Sequence, residues 1–124
     1  MPRKVAIAVT VTDVNEPPVI TSNGGGASAN LNVPENTTAV ATLAAQDPDS
    51  FGPLTFDIVS GADMNLFNLT TNGVLTFKNP PSFENPADAN ANNIYRVNVR
   101  VRDNRGGSDT QNLMVTVTNV GLSI

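Results

Sequence analysis

The sequence predicts an all-β fold, a sandwich built from seven short strands. Three observations support this: the chain is rich in Val, Thr and Asn, it has no long run of helix formers, and apolar and polar residues alternate in several segments. Nine Gly and nine Pro divide these segments into short pieces. A length of 124 residues is enough for one domain with its own hydrophobic core.

The strands can be placed in order from the apolar runs between turn residues. They cover residues 27–33, 38–45, 54–60, 66–70, 73–78, 94–102 and 111–118. The pair Asn72-Gly73 predicts a hairpin turn between the fourth and fifth strands. Seven short strands at this spacing are typical of an immunoglobulin-like Greek-key sandwich.

The last two strands show which side chains face the core. Alternation places one set of side chains inward and the other in solvent. The inward set is Tyr95, Val97, Val99, Val101, Leu113, Val115 and Val117, and the outward set is Arg96, Asn98, Arg100 and Arg102. A solvated strand face explains this Arg row better than an anion site does.

Composition excludes several classes of function. The chain has no Cys and no His, so zinc, thiolate and imidazole chemistry are excluded, including a Ser-His-Asp triad. With 11 acidic and 7 basic residues the net charge is −4, which argues against nucleic acid and favours a cationic partner. No segment approaches the ~18 consecutive apolar residues that a membrane span needs.

Two similar stretches suggest that the chain contains a repeat. Residues 8–15 read AVTVTDVN, and residues 114–121 read MVTVTNVG, 106 positions later. A fixed period of this kind indicates tandem modules. We therefore expect residues 1–12 to hold the last strand of a preceding repeat or a lead-in, 13–18 an inter-repeat linker, 19–118 one domain, and 119–124 the start of the next linker.

Acidic residues are predicted to gather at one end of the sandwich. If each strand reverses direction, three separate segments deliver oxygen ligands there: Asp13, Asn15, Glu16, Asp47, Asp49 and Asp103. Like charges a few ångströms apart repel by roughly 1 kcal/mol per pair even in bulk water. Ca²⁺, which takes about 6–8 oxygen ligands, would neutralise them. The competing explanation is that Asp and Asn occupy these loops because they favour turns.

These residues resemble the cadherin repeat over nearly the whole predicted domain. The family's linker D-x-N-D-N-x-P corresponds to residues 13–18, P-E-N to 34–36, and D-x-D to 47–49. The hairpin pattern matches residues 67–75, the L-D-x-E motif is weakened to 81–84, and the Asp after the sixth strand is Asp103. Glu16 and Pro17 replace the usual Asp and Asn, and Ser82 replaces the Asp of L-D-x-E.

The resemblance implies calcium sites between successive repeats. Asn15, Asp47, Asp49 and Asp103 would form the downstream half of one junction, and a preceding repeat would supply the upstream half. Glu35 and Glu84 would belong to a second site at the opposite end. That site is only half present, because the following linker, residues 119–121, has no acidic residue.

The expected function is therefore a calcium-binding module of a larger extracellular or cell-surface protein, of the divergent bacterial type. It would mediate adhesion or protein–protein contact, with neighbouring repeats or another surface protein as partners, or act as a calcium-stiffened spacer. The alternative is a calcium-dependent carbohydrate-binding module that recognises a polysaccharide. Aromatic residues are only 5% of the chain, and Phe56, Phe77 and Tyr95 fall at core-like positions. An enzyme using Glu35 and Glu84 as paired carboxylates is not expected, since nothing else predicts a cleft.

Overall fold

The computed structural model describes residues 14–49 and 53–121. Within them lie nine strands and two short 3₁₀ turns, Asn23–Gly25 and Met64–Leu66. The strands are β1 (Val19–Ile20), β2 (Ser28–Pro34), β3 (Ala39–Thr42), β4 (Ala45–Gln46), β5 (Thr55–Ser60), β6 (Phe67–Leu69), β7 (Val74–Phe77), β8 (Ile94–Arg102) and β9 (Ser108–Thr118). The expected strand at the start of the chain, before the linker, lies outside the described residues. Across the described ranges, no helix is both long and apolar enough to cross a bilayer.

The strands form two main sheets, which confirms the all-β sandwich. One sheet has the order β2-β9-β8-β5 and the other β3-β7-β6, while β1 and β4 pair as a small separate ladder. The pair of β2 with β9 is parallel, and the other pairs are antiparallel. Each of the seven predicted strands overlaps an observed one. The chain therefore first pairs with β4, at β1, and then crosses to the four-stranded sheet, which it joins at β2.

The core lies between the two sheets and is filled as the alternation predicts. The inward side chains of β8 and β9, from Tyr95 to Val101 and from Leu113 to Val117, are at most 1% exposed. Phe67 stacks on Phe77 with ring centroids 4.7 Å apart, and Tyr95 meets Phe77 edge-on at 5.1 Å. Burying each such large apolar side chain stabilises the fold by about 1.5–3 kcal/mol.

The β6–β7 hairpin depends on Gly73. The backbone N–H of Gly73 donates to the Thr70 carbonyl at 3.0 Å, which closes a four-residue turn, residues 70–73, that contains the predicted Asn72-Gly73 pair. Gly73 has φ +104, and a Cβ there would lie 2.7 Å from the Leu43 carbonyl oxygen. Only glycine fits both the conformation and the space.

Two buried carboxylates fix the long polar loop before β8. Asp63 accepts from the backbone N–H of Ala89 at 2.6 Å and of Arg96 at 2.8 Å. Asp88 accepts from the N–H groups of Asn92 and Asn93, each at 2.9 Å. These carboxylate oxygens take the place of the water that the loop amides would otherwise bind. The polar loop before β8 is therefore held against the sandwich.

A buried amide organises the crossing from β1 to β2. Gln111 is fully buried, and its Nε2 donates to the carbonyls of Ser22 at 3.2 Å and Gly26 at 2.9 Å. Its Oε1 accepts from Asn23 Nδ2 at 3.3 Å. One side chain of β9 therefore holds both ends of the 3₁₀ turn that redirects the chain.

Candidate functional site

The strand directions separate two ends of the domain. Arg102 at the end of β8 pairs with Ser108 at the start of β9, and Pro34 at the end of β2 pairs with Thr118 at the end of β9. Since a strand rises about 3.3 Å per residue, the 11 residues of β9 put roughly 33 Å between these ends. We call the end near Ser108 the linker end and the end near Thr118 the exit end.

At the linker end, Asn15 is hydrogen-bonded to Asp103. Asn15 Nδ2 donates to Asp103 Oδ2 at 2.8 Å and also lies 3.3 Å from the Arg105 carbonyl oxygen. Asp103 Oδ1 accepts from the backbone N–H groups of Arg105 at 2.8 Å and Gly107 at 2.9 Å. These two acceptors fix the amide orientation, because the opposite orientation would turn the Asn15 oxygen toward the carboxylate.

The environment of Asp103 favours its charged form. The hydrogen bond from Asn15 lowers the pKa of Asp103, and the N–H groups of Arg105 and Gly107 and the charge of Arg105 act in the same direction. Burial opposes them but is outweighed. Asp103 is 1% exposed, so a negative charge is held below the surface at the end of β8.

The next linker residue contacts the second acidic segment. The backbone N–H of Glu16 donates to Asp49 Oδ2, and the Asp49 N–H donates to Asp47 Oδ1 at 3.0 Å. The Glu16 side chain is exposed. Because Asn15 and Glu16 are adjacent, Asp103 and Asp49 lie at the same end of the domain. Asp13, the remaining predicted ligand of the linker, lies outside the described residues.

Two oxygen atoms at the linker end are enclosed and have no hydrogen-bond partner among the residues that the structure describes. They are Asn15 Oδ1 and Asp47 Oδ2, one on the linker and one on the 47–49 turn. A buried polar atom without a partner costs about 1–3 kcal/mol, so such atoms are uncommon. Within the described ranges, no three acidic side chains approach closely enough to hold a metal ion by themselves. A cation here would therefore also need amide or carbonyl oxygens, or ligands from elsewhere in the chain.

The exit end contains the other two predicted residues. Glu35 is 7% exposed, and its carboxylate accepts from the N–H groups of Phe83 at 3.1 Å and Val120 at 3.0 Å. The Phe83 bond, then the Val120 bond, lowers the pKa of Glu35 despite burial. Glu84 is exposed and lines with Glu35 an open depression of about 510 Å³. The Glu35 carboxylate thus ties the segment that follows β9 to the 81–84 segment.

The other candidate surfaces follow the sequence predictions. Phe56, Phe77 and Tyr95 are 6%, 3% and 1% exposed, so they belong to the core. On the outer face of β8, Arg100 forms a two-pronged ion pair with Asp57, at 3.0 and 2.6 Å, and this contact raises the pKa of Arg100.

Comparison with known proteins identifies the family. The family profile described as "Bacterial Ig domain" matches residues 15–116. The chain belongs to this family. As a fold, this bacterial Ig domain is cadherin-like: it covers 99% of the third cadherin domain of human protocadherin 7, using 96% of its own length, with 18% identity and a TM-score of 0.67.

Longer cadherin structures are also similar in fold to this domain, over part of their length. Drosophila N-cadherin EC1-4 has a TM-score of 0.61 and 18% identity, over 82% of this chain and 24% of that one. The protocadherin GammaB4 extracellular domain has a TM-score of 0.66 and 25% identity, over 86% of this chain and 16% of that one. The bacterial Ig domain thus spans a quarter or less of these two structures. No curated protein matches it.

Proposed function

We propose that this bacterial Ig domain is a calcium-binding, cadherin-like module of an extracellular or cell-surface protein. Calcium binds at the linker end and stiffens the connection to a preceding repeat, so that the module serves as a spacer or an adhesive unit. The observation that carries the proposal is the pair of enclosed, unpartnered oxygens, Asn15 Oδ1 and Asp47 Oδ2.

The chemistry of these atoms fits a hard divalent cation. Ca²⁺ is bound by about 6–8 oxygens, drawn from carboxylates, amide oxygens, backbone carbonyls and water. Asn15 and Asp47 offer the two unpartnered oxygens, and Asp49 and Asp103 lie in hydrogen-bond contact with the same linker. The count of carboxylates among the described residues is low, so Asp13, Glu16 or the preceding repeat would complete the set.

The proposed role of each residue follows from its position. Asn15 and Glu16 belong to the linker, whereas Asp47, Asp49 and Asp103 belong to the body of the domain. A cation bound to both groups would cross-link the linker to the body and fix the angle at which a preceding repeat leaves. Glu35 and Glu84 at the exit end are proposed as ligands of a second junction, completed by the next repeat.

The expected stabilisation is modest. Calcium sites of extracellular modules commonly have dissociation constants of about 10⁻⁴–10⁻³ M. Binding to the folded state alone then adds on the order of 1–2 kcal/mol per site at millimolar calcium. For a domain of this size, 1 kcal/mol raises the melting temperature by about 4 °C.

Thermal unfolding of the full chain with calcium, with magnesium and with a chelator tests the proposal. Asp47→Asn removes the unpartnered Oδ2 but retains the oxygen that accepts from Asp49. It is expected to unfold like the parent in chelator and to lose the calcium-dependent rise in melting temperature. Asp57→Asn is the matched control, since Asp57 lies on the outer face of β5 beside Arg100. The proposal is wrong if the parent shows no rise, or if both variants lose it equally.

Polysaccharide binding is the less supported alternative. Recognition of sugars commonly uses exposed aromatic rings, which pack against the apolar face of the sugar. In the part of the chain that the structure describes, four of the five aromatic side chains, Phe56, Phe67, Phe77 and Tyr95, are buried, and Phe83 is half-buried. Pull-down on insoluble polysaccharides with and without chelator separates the two functions, because a spacer module stays in the supernatant.

A further inference from the structure

Two Asn-Gly pairs occur in the sequence, Asn23-Gly24 and Asn72-Gly73. Asn-Gly is chemically labile because glycine has no Cβ to keep its backbone nitrogen away from the preceding side chain. That nitrogen attacks the Asn Cγ and forms a succinimide, and the side-chain amide leaves as ammonia. The attack requires the backbone to rotate, so the local structure decides which pair reacts.

The Asn72-Gly73 pair is held in place. The attacking group, the N–H of Gly73, is already bound to the Thr70 carbonyl at 3.0 Å. Asn72 Oδ1 accepts from Thr70 Oγ1 at 2.6 Å, which fixes the electrophile as well. Gly73 is buried, and the space beside its Cα is closed by the Leu43 carbonyl. Reaction here requires opening of the hairpin turn.

The Asn23-Gly24 pair has much more freedom. Gly24 is exposed and has φ +82, and among the described residues no atom lies within 4 Å of the position that a Cβ would take. Two more glycines follow it, and the turn is closed by the Gly25 N–H, which donates to the Ser22 carbonyl at 3.0 Å, so this hydrogen bond does not use the Gly24 nitrogen that would attack. The Asn23 side chain is held by one long hydrogen bond, 3.3 Å from Nδ2 to Gln111 Oε1.

We propose that Asn23 is a site of spontaneous deamidation and that the reaction loosens the crossing between β1 and β2. The Gly24 nitrogen forms a bond to Asn23 Cγ, its proton passes through solvent to the side-chain amide nitrogen, and the bond from Cγ to that nitrogen breaks to release ammonia. Water then opens the succinimide at either carbonyl, which gives aspartate or isoaspartate and no change of oxidation state. The product adds one negative charge and, as isoaspartate, one extra methylene to the main chain.

The damage follows from the position of Gln111. The Asn23 amide donates to Gln111 Oε1, whereas a carboxylate at the same place has no proton to donate and is repelled by that oxygen. Gln111 Nε2 still donates to the Ser22 and Gly26 carbonyls, but the turn loses its third hydrogen bond to Gln111, the one from Asn23 Nδ2. This turn lies between the linker end and β2, so its loosening weakens the anchoring of the linker.

Peptide mapping by mass spectrometry tests the proposal on the full chain. The protein is incubated in mildly alkaline buffer below its melting temperature, and conversion at both pairs is measured over time. Asn23 is expected to convert at least about tenfold faster than Asn72, which corresponds to a local opening free energy of about 1.4 kcal/mol at the hairpin. In concentrated urea, where both turns are lost, the two rates should become similar, so the unfolded chain serves as the internal control.

A second measurement tests the structural consequence. Asn23→Asp mimics one product and is expected to lower the melting temperature, whereas Asn23→Gln keeps an amide and serves as the control for loss of the native side chain. Equal rates at the two sites in the folded protein, or faster conversion of Asn72, overturn the proposed site. An Asn23→Asp variant as stable as the parent overturns the proposed loosening.

Discussion

Gly107→Ala should weaken the docking of the linker without removing any proposed ligand. A Cβ on Gly107 would lie 2.5 Å from Asp103 Oδ2 and 2.9 Å from the Cα of Pro17. To reach even a 3.0 Å contact with the Cβ, the carboxylate oxygen must move by at least about 0.5 Å. The carboxylate cannot move freely, because it is held by the N–H groups of Arg105 and Gly107 and by Asn15. Overpacking of this kind costs about 1–3 kcal/mol.

Urea and thermal unfolding in chelator measure this cost, and the melting temperature should fall by about 4 °C for each kcal/mol. The calcium-dependent rise should also shrink, since Asn15 and Asp103 are forced apart. Gly121→Ala is the control, because nothing lies within 4 Å of a Cβ at Gly121. If Gly107→Ala stays within about 0.5 kcal/mol of the parent, the close packing of Asp103 and Pro17 against Gly107 does not hold the linker.

Three further predictions concern the rest of the domain. The pKa values of Asp103 and Glu35 are lowered in the folded domain, so the stabilisation from these two carboxylates should be fully present at neutral pH and lost as the pH falls below the ordinary carboxyl pKa of about 4. Urea unfolding in chelator measures this, and a urea midpoint that rises in acid would contradict it. Leu75→Ala, at a fully buried site, should cost about 2–5 kcal/mol in urea unfolding, whereas Val74→Ala, at a site 39% exposed, should cost under about 1 kcal/mol. Gln111→Leu should destabilise the domain by about 1–3 kcal/mol, since it leaves the Gly26 carbonyl without its donor and the Asn23 amide without its acceptor, whereas the Ser22 carbonyl keeps the Gly25 N–H. An unchanged melting temperature would show that water replaces the lost groups.

The sequence predicts the sandwich well because burial on one face imposes a period of two. The alternation in β8 and β9 identifies the inward side chains, and every one of those named is buried. The location of the β6–β7 hairpin follows from Asn72-Gly73. The number of residues in the turn cannot be predicted from this pair, because it depends on the hydrogen bond to the Thr70 carbonyl and on the space beside Leu43.

The buried polar residues are the part of the fold that the sequence did not predict. Gln111 has the same parity as Leu113 and Val115, so period two alone places it inward, and a polar residue there requires hydrogen-bond partners. Asp63 accepts from the N–H of Ala89, which is 26 positions later in the chain. Asp88 accepts from the N–H of Asn92, which is only 4 positions later. Partners such as Ala89 for Asp63 depend on tertiary folding and leave no local pattern.

The linker is attached to the domain by hydrogen bonds that need no metal ion. Asn15 donates to Asp103, and the Glu16 N–H donates to Asp49. In β1, which follows the linker, the Ile20 N–H donates to Asp109 Oδ2 at 2.8 Å. These carboxylates therefore use part of their acceptor capacity on the protein itself, and a cation would share oxygens that are already occupied. We accordingly expect calcium to bind with a dissociation constant no lower than about 10⁻⁴ M and to add no more than about 1–2 kcal/mol per site to the stability of the domain. Its larger effect would be on the orientation of a preceding repeat, because the enclosed oxygens of Asn15 and Asp47 lie on the two sides that the ion would join.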